Sequence, residues 1–92
     1  MTRPPGTAAH HMVAGGRNLP AVQGSRDILQ KFGVGINDAE NGVFLPRTFH
    51  NHLHTNAYYK AVEYELSIAT TREEVIDVLA RIRYALMNGG FP

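Results

Sequence analysis

Five histidines stand in two clusters, and their spacing is the feature of the chain that suits chemistry. His10 and His11 are adjacent in Ala9-His10-His11-Met12-Val13, and His50, His52 and His54 alternate in Phe49-His50-Asn51-His52-Leu53-His54-Thr55. Neighbours on a strand point to opposite faces, so His10 and His11 cannot share one task. Residues four apart on a helix share a face, so His50 and His54 can meet at one ion while His52 points away. Were the segment extended, all three would share a face. Pro46, which ends a strand, and Thr48, which can cap the next segment, favour the helical turn. Imidazole binds first-row divalent ions and also serves as a general base near neutral pH. A metal ion and a base on facing elements would make a hydrolytic site, the base activating water and the ion steadying the developing charge. Taken singly, such histidines read as surface residues or incidental chelators. The two clusters together, flanking an Asn-Gly turn and a strand, read as a site.

The rest of the composition limits what that site can belong to. A chain of 92 residues holds one domain with a small core. It has no cysteine, which removes disulfides, thiolate zinc sites and cysteine nucleophiles. Its formal net charge is +1, too balanced for nucleic-acid binding by bulk electrostatics alone. No apolar run approaches the roughly 20 residues that cross a bilayer. The start lacks the apolar stretch of a secretory signal, and no membrane partner is expected.

The elements that must position the histidines can be read from pattern. Residues 1–8 read as a flexible lead-in or linker remnant, leaving residues 9–92 as a single domain. Residues 9–14 suit a first strand, stopped by Gly15-Gly16. Residues 17–23, with Pro20, read as a loop. Residues 25–33 form a short helix capped by Ser25 and closed by Gly33, with Ile28, Leu29 and Phe32 inward. Asn37 and Asp38 fall in a turn-rich stretch and read as hydrogen-bonded loop residues, not a metal pair. Asn41-Gly42 suits a tight turn before a second strand at Val43–Leu45. From Thr48 to about Ala69 the pattern is helical, with Thr55 a second N-cap. Ala57, Ala61 and Tyr64 share one face, with Tyr58, Val62 and Leu66 close by. Tyr58 and Tyr59 can either stack on a base or pack in the core, with core packing favoured for at least one. Thr71 and Glu74 form a capping box for the last helix. Val75, Leu79, Ile82 and Leu86 are its buried stripe, Asn88-Gly89-Gly90 its end, and Arg72, Arg81 and Arg83 face solvent. The order strand, helix, strand, helix, helix makes the fold α+β.

Three blocks together, Ala9–Val13, Gly35–Pro46 and His50–Tyr59, resemble the AHH group of HNH nucleases, over about residues 8–68. The resemblance implies a small ββα-metal (treble-clef-like) nuclease core with flanking helices. It implies His11 as general base and Asn41 as the residue bracing the loop that carries it. His10, His50 and His54 would hold one divalent metal ion, with Mg, Zn, Ni and Mn all open; His52 has no assigned role. Arg17, Lys31, Arg47 and Lys60 lie near the motif and could contact phosphate, or be plain solvated surface. The implied activity is metal-dependent hydrolysis of DNA with little sequence specificity, as the toxin domain of a larger secreted protein delivered into a target-cell cytoplasm. A cognate immunity protein would be its inhibitor. The alternatives are an RNase on the same fold and a non-enzymatic module in which the histidines hold a structural ion.

Overall fold

A computed structural model describes residues 5–46 and 55–91. Its elements are strand β1 (Thr7–His11), helix α1 (Pro20–Lys31), a 3-10 turn (Ala39–Asn41), strand β2 (Gly42–Pro46), helix α2 (Asn56–Ser67) and helix α3 (Arg72–Met87). The two strands pair antiparallel, from Thr7 opposite Pro46 to His11 opposite Gly42. The expected order of strands and helices is observed, in a small mixed α/β domain.

Boundaries moved where tertiary packing outweighed local signals. β1 begins at Thr7, so Thr7 and Ala8 belong to the sheet and not to the expected lead-in. Met12 and Val13 leave the strand and enter the core at 0% and 2% exposure. Helix α1 starts at Pro20, inside the expected loop, because a proline at the first helical position gives up no hydrogen bond and arrives with a helical φ. Ser25 is therefore not a cap. It sits within the helix, on the buried stripe of Ala21, Val22, Ser25 and Leu29. The expected end at Gly33 holds: its φ is +74°, its N–H reaches Gln30 O, and Val34 N–H reaches Leu29 O at 2.9 Å. This pair of bonds closes the helix by the Schellman pattern.

Helices α1 and α2 pack closely at Gly24, where a Cβ would fall 1.8 Å from Glu63 Oε2. Thr55 caps α2 as expected, its Oγ1 accepting from Tyr58 N–H. The buried face of α2 is Tyr58, Tyr59, Val62 and Leu66, while Tyr64, expected near this face, is 69% exposed. Both adjacent tyrosines are thus core residues and neither is open to stack on a base. In α3 the Val75, Val78, Leu79, Ile82 and Leu86 stripe is buried as expected. Thr71 caps it through Glu74 N–H, but the Glu74 carboxylate accepts from the N–H and hydroxyl of Thr70. Gly89, at φ +72°, ends α3, and Phe91 beyond it packs edge-on against Tyr58.

Candidate active site

β1 presents His10 and His11 to opposite faces, as the pleat requires. His10 pairs with Val43 on the core side and is 4% exposed; His11 pairs with Gly42 and is exposed. Both nevertheless border one open cleft of about 350 Å³, lined among the described residues by Ala9, His10, His11, Ala14, Gly15, Gly16 and Arg17.

Each imidazole is anchored by a different oxygen. His10 Nε2 lies 3.0 Å from the Tyr58 hydroxyl, which itself donates to the Met12 carbonyl at 2.9 Å. A phenol has one proton. With that proton committed to Met12 O, the Tyr58 oxygen accepts, so His10 Nε2 carries a proton and donates it to the phenol. Burial, and then the neighbouring Tyr59, push the Tyr58 phenol far above its ordinary pKa, which keeps the donated proton in place. On the other face, His11 Nε2 lies 2.9 Å from Asn37 Oδ1.

The turn after β1 is held by Asn41, which is 0% exposed. Its Oδ1 accepts from Val13 N–H at 2.9 Å, and its Nδ2 donates to Val13 O at 3.1 Å and to Ile36 O at 2.9 Å. Its own carbonyl accepts from Met12 N–H at 2.8 Å. One side chain thus ties the residues just beyond His11 to the residue just before Asn37. The expected tight turn at Asn41-Gly42 is instead the end of the 3-10 turn, and no non-glycine residue has positive φ among the described residues.

Two arginines brace the surroundings. Arg83 was expected to face solvent, but it is half-buried and reaches from α3 to the 3-10 turn. It donates to Gly42 O at 3.0 Å, Glu40 O at 2.7 Å and Ala39 O at 3.3 Å. The guanidinium fork gives three carbonyls, of the 3-10 turn and the start of β2, a charged donor from α3. Arg26 donates from α1 to Gly15 O at 2.7 Å and Arg17 O at 2.8 Å, fixing the glycine loop at the cleft. Nothing in the local sequence marked either contact. Arg72 and Arg81 are exposed, as expected.

Of the cationic candidates, Arg17 lies at the cleft. Lys31 sits at the end of α1 with its ammonium 5.3 Å from the Phe32 ring centroid, and Lys60 is exposed on α2. Arg47, His50, His52 and His54 lie outside the described residues.

The comparison with known families decides what this arrangement belongs to. Residues 1–85 match AHH, a nuclease family of the HNH/ENDO VII superfamily with conserved AHH. The chain belongs to the AHH family of nucleases. No curated protein and no solved structure matches it. In this AHH-family chain the tripeptide is Ala9-His10-His11, the end of β1 described above. Membership makes a nucleic acid the substrate class. Among the described residues no helix is long and apolar enough to cross a membrane. HNH/ENDO VII nucleases generally use a divalent metal. Among the described residues no three His, Asp or Glu side chains stand close enough to hold one. Of the three ligands that the resemblance implies, only His10 lies among the described residues, and its Nε2 is held by the Tyr58 hydroxyl, an outer contact of the kind ligating histidines commonly make.

Proposed function

We propose that this AHH nuclease is a metal-dependent endonuclease that hydrolyses DNA with little sequence specificity. The supporting observation is the pair His10 and His11 at one cleft, the first buried and anchored on Tyr58, the second exposed and anchored on Asn37. In this reading the two strands and α2 form the ββα-metal core. His10 Nδ1 would hold one divalent ion together with His50 and His54, which the sequence spacing and the family resemblance supply. Such an ion supplies Lewis-acid stabilisation of the charge that develops on the phosphate and leaving oxygens.

The protein's own residues do the rest. His11 takes a proton from water at the nitrogen not bonded to Asn37, preparing in-line attack on phosphorus. Asn41 holds the turn beyond His11, so the imidazole approaches the substrate from a fixed backbone. Arg17, at the cleft, offers a cation to a neighbouring phosphate. The modest net charge then limits affinity without preventing chemistry, because local cations and the ion act where the reaction occurs.

The biological setting follows from the same resemblance: a toxin domain of a larger bacterial protein, delivered into a target cell and held in check by a cognate immunity protein. The deciding experiment incubates plasmid DNA and structured RNA with the wild type and with His11→Ala, with each of Mg, Mn, Zn and Ni, and with EDTA. Cleavage of DNA that EDTA stops and His11→Ala abolishes is the expected result. Cleavage of RNA alone would move the substrate to RNA. Metal binding without cleavage of either polymer would favour a non-enzymatic module.

A further inference from the structure

The loop that supplies Asn37 is built more firmly than a surface loop requires. Asp38 Oδ2 accepts from Gly35 N–H at 2.8 Å, and Asp38 N–H returns to Gly35 O at 3.0 Å. A Cβ at Gly35 would stand 2.9 Å from Asp38 Oδ1, so only glycine leaves room for this closure. Asn41 N–H donates to Asp38 O at 2.9 Å, and the buried Asn41 amide holds Ile36 O. Both residues flanking Asn37 are therefore fixed, and Asn37 itself is exposed. Its carboxamide spends its oxygen on His11 Nε2 at 2.9 Å, across 26 positions of sequence.

We infer that Asn37 is a positioning residue for His11, holding the ring in the Nε2–H tautomer so that Nδ1 is the nitrogen turned to the reacting water. The inference rests on the reading of His11 as the base and names what orients it. A neutral imidazole has one N–H, and an acceptor at one nitrogen places the proton there and the lone pair on the other. Without that acceptor the exposed ring exchanges tautomers and rotates about its side-chain bonds, and only a fraction of molecules present the correct nitrogen. The loop's internal bonds bring the acceptor to the ring already oriented, so little is lost in ordering it.

The test compares wild type, Asn37→Ala, Asn37→Asp and His11→Ala. The first readout needs no activity: ¹⁵N-detected histidine spectra of the metal-free protein report the tautomer of His11. Wild type and Asn37→Asp, which keeps an acceptor, should show the Nε2–H form, and Asn37→Ala a mixture. In cleavage assays Asn37→Ala should lower kcat by about 10–100-fold with KM nearly unchanged, the loss usual when an imidazole's outer partner is removed. Asn37→Asp should restore most of the rate. A melting temperature for Asn37→Ala within a few degrees of wild type would separate this from unfolding. An Nδ1–H tautomer in the wild type, or a full rate in Asn37→Ala, would overturn the inference. If His11→Ala cuts as well as wild type, the base assignment fails instead, and the tautomer spectra still judge the Asn37–His11 bond.

Discussion

The Tyr58 hydroxyl accepts the Nε2 proton of His10 while giving its own to the Met12 carbonyl, at 3.0 and 2.9 Å. A side chain from α2 thus fixes a proton on Nε2 of a β1 histidine. Tyr58→Phe keeps the ring and its edge contacts with Tyr59 and Phe91 but strands two buried polar groups. It should cost about 1–3 kcal/mol of stability, measured by urea denaturation. Under the proposed reading it should also lower metal-supported cleavage by about 10–100-fold. Unchanged stability would mean that water replaces the phenol at this position.

Asn41→Ala removes three hydrogen bonds to backbone groups of Val13 and Ile36 at once. Unpaired buried backbone groups are costly, and the loss should be about 3–5 kcal/mol. For a chain of this size that is a large part of the total. Chemical denaturation should show a sharply lower midpoint, and the cleavage rate should fall with it. A midpoint near wild type would show that the turn after β1 does not depend on this amide.

Much of this architecture is legible in the residues alone, and the exceptions share a cause. Gly33 and Gly89 end helices and Thr55 and Thr71 begin them, because caps are local hydrogen-bond problems with local solutions. The opposite faces of His10 and His11 come from the pleat alone. Ser25 misleads because a serine that can cap is also small enough to fit a helix–helix contact, and only packing decides between them. The contacts of Arg83 and Asn37 escape a reading of pattern because their partners lie 41 to 44 and 26 residues away, and no periodicity encodes such meetings. Tyr58 is legible as core from its spacing with Val62 and Leu66, but its hydroxyl's partner is not.

Ser25 offers a gain in stability. Its Oγ is buried with no hydrogen-bond partner among the described residues, beside Met12, Val22, Tyr59 and Val62. Ser25→Ala removes the stranded hydroxyl and improves helix propensity in the middle of α1. It should raise the unfolding free energy by about 1 kcal/mol and the melting temperature by about 5 °C. Calorimetry would show it, and a lower melting temperature would mean that the hydroxyl fills space a methyl leaves empty.

Acid should loosen the start of α3. The hydroxyl of Thr70, and then its N–H, hold the exposed Glu74 carboxylate below its ordinary pKa. A depressed carboxylate contributes stability above its unfolded pKa and loses it as pH falls through the lower folded value. The melting temperature of wild type should therefore exceed that of Glu74→Gln at neutral pH, and the gap should narrow from about pH 5 downward. A gap that stays constant to pH 2 would show that the charge of Glu74 is not what stabilises the cap.

The amide of Asn41 bridges 28 positions of sequence, with the whole of α1 in the interval. That span has a kinetic meaning. Closing a loop of this length has an entropic cost before any contact is made, so the turn behind the histidine pair is braced only when distant segments have met. A chain that has formed its helices but not yet paired its strands carries the histidines without the arrangement. Any passage of this domain through an unfolded state would undo that brace, which returns only after the strands have paired.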